Sequence, residues 1–108
     1  MRLDFAGEPV DLVAIHKTTY RDGRPALQAE LKWHDDPFAP PLETITVNIP
    51  EAHLQPGEYM VKSHMEPLFE SLEKAGLIMY TGQRIPSGFT TFPVFILTEA
   101  ACEFTRES

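Results

Sequence analysis

Apolar and polar residues alternate with a period of two through most of the first half of the chain, which places successive side chains on opposite faces of a strand. Leu3 and Phe5 oppose Arg2 and Asp4. Gly7-Glu8-Pro9 reads as a turn, and Val10 to Tyr20 is rich in the β-branched and apolar residues that suit a strand. Asp22-Gly23 then tolerates positive φ and predicts a hairpin. The returning strand sets Leu27, Ala29, Leu31 and Trp33 against Gln28, Glu30 and Lys32. After a proline-broken loop from His34 to Pro41, Ile45, Val47 and Ile49 alternate with Thr44, Thr46 and Asn48, and Pro50 ends the run. Pro56-Gly57 is a turn before a short strand from Glu58 to Lys62.

The period then changes. Met65, Leu68, Phe69, Leu72 and Ala75 follow the i, i+3, i+4, i+7 spacing of one helical face. Ser63 or Glu66 marks the start, Pro67 suits the first helical position, and Gly76 supplies the stop. Leu77 to Tyr80 is a short apolar strand. Thr81 to Gly88 reads as a turn-rich loop, and Phe89 to Thr98 as a last strand with apolar residues on both faces. Pro93 favours a sheet edge or a bulge for that strand. Glu99 to Ser108 fits either a short helix or a fraying tail. These elements predict a single α+β domain over residues 1–108. It is a mainly antiparallel sheet of six to seven strands with one helix on one face, in the order β-β-β-β-β-α-β-β.

Charge narrows the function. Sixteen acids against nine bases give a formal net charge of −7. That opposes direct binding to nucleic acid, which needs a basic face, and docking on an anionic membrane. It keeps a protein soluble, and it also attracts a basic partner. Cys102 is the sole cysteine, so no internal disulfide forms. The first ten residues carry Asp4 and Glu8 and no long apolar run, and no stretch reaches the ~18 apolar residues of a membrane span. The expected location is the cytoplasm.

Catalytic and metal signatures are weak. His34-Asp35-Asp36 has ligand chemistry, but adjacent residues rarely converge on one ion, and the aspartates also serve as turn formers. His16, His34, His53 and His64 share no ligand spacing. Ser87 lies in Pro86-Ser87-Gly88, and Ile85 stands where a nucleophile elbow needs glycine. Cys102 lacks the local signature of a nucleophile. No metal, cofactor or catalytic residue is expected. Two surfaces are the candidates for contact. One is the Arg84–Phe89 segment, where Gly82 and Gly88 bracket an arginine that can fork onto phosphate or carboxylate, with Ser87 and Phe89 beside it. The other is an acidic surface from Glu66, Glu70 and Glu73 on the helix, joined by Asp35, Asp36, Glu51 and Glu58. Such acids more often form an ordinary solvated face.

Several turn and strand-end motifs occur in a characteristic order: Thr46-Val47-Asn48-Ile49-Pro50, Pro56-Gly57-Glu58, Val61-Lys62, Ala75-Gly76-Leu77-Ile78, Thr81-Gly82, Pro86-Ser87-Gly88-Phe89 and Pro93-Val94. In this order the chain resembles a family of short bacterial proteins, domain of unknown function 4313, met mostly on conjugative elements, plasmids and phages. The resemblance covers roughly residues 43–98, and Pro37 to Pro41 departs from the family pattern. The family supplies no catalytic residues. The resemblance implies an accessory protein of a mobile element that binds a host protein, including a nucleic-acid-binding one, as an anti-CRISPR-like or anti-restriction inhibitor does. The alternative is a small ligand-binding or enzymatic domain built on the Arg84–Phe89 loop and a histidine such as His53 or His64. A homodimer through a sheet edge or an apolar sheet face is compatible with either.

Overall fold

The structure is a computed structural model that describes residues 1–34, 38, 42–49 and 52–107. These residues form an α+β fold, with eight strands and a single α-helix among them. β1 (Arg2–Phe5) turns through Ala6-Gly7 into the long β2 (Glu8–Thr19). The turn therefore precedes Glu8 and Pro9, which belong to the strand. β3 (Pro25–Trp33) returns antiparallel to β2. The Asp22-Gly23 signal is met: Gly23 has φ +86 and donates to the Tyr20 carbonyl at 2.9 Å. This is the three-residue hairpin loop in which a type I turn runs into a left-handed glycine.

β2 carries a bulge between Leu12 and Ala14, with Val13 exposed at the break. Its outer edge changes partner at the same place. Leu12 exchanges backbone bonds with Met1, whereas the Ile15 N–H donates to Phe104. From there β8 (Thr105–Glu107) pairs in parallel with Ile15–Lys17. The last residues are thus a 3₁₀ turn (Glu99–Glu103) followed by a strand docked on β2.

The strand expected over Glu43–Ile49 is shorter, and Ile45 and Thr46 are both buried because the segment serves two sheets. β4 (Leu42–Thr44) pairs with β3. Beyond it, Thr46 bridges to Val61, Val47 donates to Met60, and Lys62 donates to Ile45. This joins the sheet of β1, β2, β3, β4 and β8 to a second one, in which β5 (Glu58–Met60), β7 (Thr90–Leu97) and β6 (Ile78–Ser87) lie side by side. The expected single sheet is two, because the chain crosses between them at Ile45–Thr46. Thr46 is buried there. It bonds the Tyr20 hydroxyl at 2.7 Å and takes the Leu27 N–H at 3.2 Å, filling the gap in the ladder.

α1 (Glu66–Lys74) follows a 3₁₀ turn over Ser63–Met65, with Pro67 in its first turn. It ends in a Schellman motif: Gly76, at φ +82, donates to Glu73, and Leu77 donates to Leu72. Its buried residues, Leu68, Phe69 and Leu72, join the central apolar cluster. The helix touches both β1 and β6, the outer strands of the two sheets. The Ser71 hydroxyl donates to the Asp4 carbonyl and fixes the β1 side.

Candidate functional site

The segment expected as a loop, Thr81 to Gly88, is strand up to Ser87. Its glycine and proline are accommodated because β6 is a sheet edge and carries a bulge. Tyr80 faces Phe95 and Arg84 faces Pro93, so Thr81–Gln83 bow out. Gly82 takes φ +86 within the bow, and Thr81 Oγ1 donates to the Val94 carbonyl at 2.9 Å. Pro93, expected at an edge or bulge, lies in the central strand opposite this bulge, and its carbonyl accepts from Val61.

The turn itself shrinks to two residues. Ser87 pairs with Thr90, leaving Gly88 and Phe89 at the tip. Gly88 has φ +62 and Phe89 does not share the positive sign, the pattern of a type II′ hairpin turn. The Phe89 side chain is fully exposed. At the base of the hairpin, Met79 and Tyr80 are also exposed.

The edge of β6 is closed to strand pairing. The Tyr80 N–H, which points away from β7, is taken by Glu73 Oε2 at 3.0 Å. The bow at Thr81–Gln83 interrupts the ladder, and Pro86 has no N–H to give. These are the devices by which exposed edges are protected from adding a strand.

The helix acids and the arginine come together. Glu66, Glu70, Glu73 and Arg84 rim a cleft of about 170 Å³ whose floor is Phe69, Tyr80, Pro93 and Phe95. Arg84 lies 3.6 Å from the Glu66 carboxylate, and its Nε donates to Thr91 Oγ1 at 2.8 Å. Thus Arg84 is not an isolated fork for an anion; it is a cation set among carboxylates. Ser87 is half-buried next to the turn, and no histidine is bonded to it. Two histidines face carboxylates elsewhere: His16 lies 2.9 Å from Glu30 and His34 lies 3.0 Å from Asp11. His53 and His64 are exposed. Asp35, Asp36 and Glu51 lie outside the described residues. Glu58 accepts the Gln55 N–H at 2.8 Å, away from the helix acids. Among the described residues no three His, Cys, Asp or Glu side chains gather as a metal site would require.

A larger cleft of about 670 Å³ opens between the β2–β3 loop and residues 46–49 and 52–60, with Arg24, Asn48, His53 and Tyr59 on its walls. Several of its polar groups are committed to one another. Arg24 faces Asp22 at 3.4 Å and donates to the Ile49 carbonyl, and Asn48 donates to Asp22 at 2.9 Å. The Asn48 amide first, then the Arg24 backbone N–H, which donates to Asp22 at 3.0 Å, hold the Asp22 carboxyl below its ordinary pKa. The Arg24–Ile49 and Asn48–Asp22 bonds pin the β2–β3 loop to residues 48–49.

Sequence reading missed Tyr80, Phe69 and Phe95 as parts of the site. The floor they form is continuous: ring centroids lie 5.4 Å apart for Tyr80–Phe95 and 5.3 Å for Phe69–Phe95. Phe69 and Tyr80 were legible only as apolar positions of a helix and a strand. Compared with known proteins, the chain matches no family model, no curated protein and no solved structure. Among the described residues no helix is long and apolar enough to cross a membrane.

Proposed function

We propose that the chain is a non-enzymatic protein-binding module, acting in the cytoplasm, that presents its β6–β7 hairpin to a partner with a basic surface. Phe89 carries this reading. A two-residue turn needs glycine for its backbone, but nothing in the turn needs an aromatic ring in water. Covering such a ring contributes about 1.5–3 kcal/mol, and buried aromatic anchors dominate interface energetics. The acidic face of α1 lies at the base of the same hairpin. Together with the net charge of −7, it favours a basic partner and repels nucleic acid.

The resemblance to domain of unknown function 4313 rests on motif order alone. It suggests the setting: a mobile element whose product binds a host protein, with an anti-CRISPR-like or anti-restriction inhibitor as one form. A partner that itself binds nucleic acid would have the basic surface required. The closed edge of β6 argues for recognition through side chains, and against a homodimer built on that edge. The alternative is a ligand-binding or enzymatic domain using the Arg84–Phe89 segment and a histidine such as His53 or His64. It has less support, because Arg84–Ser87 lie in a strand rather than a loop.

Affinity capture from a nuclease-treated bacterial lysate tests the proposal, with the wild-type protein and Phe89→Ser compared at low and high salt. One stoichiometric partner is expected on the wild type at low salt, diminished at high salt and lost with the variant. Equal capture by both proteins would overturn the assignment of the hairpin.

A further inference from the structure

The root of the hairpin differs in chemistry from its tip. The cleft there has an aromatic floor and a rim of three carboxylates against one guanidinium. Its carboxylates are engaged unequally. Glu66 faces Arg84, and Glu73 holds the Tyr80 N–H. Glu70 is exposed and makes no hydrogen bond or ion pair among the described residues, including with Lys74 one turn away.

We infer that this cleft receives an arginine side chain carried by the partner protein. The inference rests on the protein-binding reading and names the chemistry of the contact. A net negative rim excludes phosphate and carboxylate ligands and attracts cations. Of the rings that line it, Phe69 and Phe95 are buried and Tyr80 is exposed; an exposed ring favours a planar, weakly hydrated cation, which stacks on it while its edge forks onto carboxylate. Arginine meets both conditions, whereas lysine is a strongly hydrated point charge. The protein already displays half of the arrangement. Arg84 sits at the rim with Glu66, its Nε tethered to Thr91 at 2.8 Å. Arg84 is therefore an internal competitor. It lowers the negative charge that an incoming arginine meets.

The consequence is an inversion of sign. If Arg84 bound an anionic ligand, removing it would weaken binding. If the cleft binds arginine, removing Arg84 strengthens it. The test is an NMR titration of the intact protein with a blocked Gly-Arg-Gly peptide and its citrulline counterpart, following Tyr80 and Phe95. Wild type, Arg84→Ala and Glu70→Gln are compared, and their amide spectra establish that each is folded. The arginine peptide is expected to give saturating shifts in the millimolar range. Affinity should be threefold or more higher in Arg84→Ala and threefold or more lower in Glu70→Gln, with no shifts from citrulline. Absent shifts, equal shifts with citrulline, or weaker binding by Arg84→Ala would overturn the inference. So would concentration-dependent Tyr80 shifts without peptide, which would place a second copy in the cleft. Peptide binding does not involve Phe89. A partner lost with Phe89→Ser beside a silent peptide titration would leave the protein-binding reading standing and remove only the arginine site.

Discussion

Glu73 accepts the backbone N–H of Tyr80 at 3.0 Å, so a side chain of α1 occupies a hydrogen-bonding position on the open edge of β6. Both residues also line the cleft at the hairpin root. One carboxylate thereby closes a sheet edge and contributes charge to the candidate contact surface.

Replacing Glu73 by Ala is therefore expected to speed hydrogen exchange at the Tyr80 amide and raise the tendency to self-associate. Stability should fall by only about 0.5–1 kcal/mol, since the bond is exposed. Exchange rates by NMR and mass by light scattering check this. An unchanged Tyr80 rate would show that the bond does not protect the edge.

The crossing between sheets depends on a buried hydroxyl. Thr46→Val keeps the shape of the side chain and leaves the Leu27 N–H and the Tyr20 hydroxyl without their partner. An unpaired buried donor costs about 1–3 kcal/mol, and Thr46→Ser should recover much of it. Urea unfolding of the two variants distinguishes loss of the hydroxyl from loss of the methyl.

How far the sequence reveals these features depends on the distance over which each is determined. Local signals were sufficient for the Asp22-Gly23 hairpin and for the helix stop at Gly76, because φ preferences decide both. Period two marked Glu43–Ile49 as one strand, but it carries no information about which strand lies alongside, and β4 ends at Thr44. The change of partner at Ile45–Thr46 was therefore invisible. Gly82 and Pro86 misled for a related reason. They break a central strand but are tolerated at a bulged edge, and edge position is a tertiary property. The spacing of Glu66, Glu70 and Glu73 was readable as one helical face. That Arg84 lies against it follows from the packing of α1 on β6, which no local pattern encodes.

Ala6 is the one described non-glycine residue with positive φ, at 52°. A left-handed conformation costs an alanine roughly 1–2 kcal/mol, whereas Asn tolerates it and Asn-Gly is the preferred pair for this two-residue turn. Ala6→Asn is expected to stabilise the protein by about 0.5–1 kcal/mol. An unchanged or lowered thermal midpoint would contradict this.

Asp11 sits between Arg2 at 3.2 Å and His34 at 3.0 Å. Partial desolvation works to raise its pKa. The Arg2 hydrogen bond, then the charges of His34 and Arg2, outweigh it and hold the carboxyl below its ordinary value. A depressed folded pKa gives stability that is complete above the unfolded value of about 3.9 and is lost as pH falls through the folded one. Asp11→Asn should therefore be less stable than wild type near neutrality, and the gap should close in acid. Unfolding midpoints measured across that range test it, and a gap independent of pH would contradict it.

Phe89 is the proposed anchor for a protein partner. The most direct measurement is the dissociation constant of the captured partner for wild type and Phe89→Ser, alongside the thermal midpoint of each. A solvent-exposed turn residue should leave stability within about 0.5 kcal/mol, while a hot-spot anchor of about 2 kcal/mol or more weakens binding roughly thirtyfold. Loss of affinity with an unchanged midpoint is the predicted result. Equal affinity for the two proteins would contradict the role proposed for Phe89.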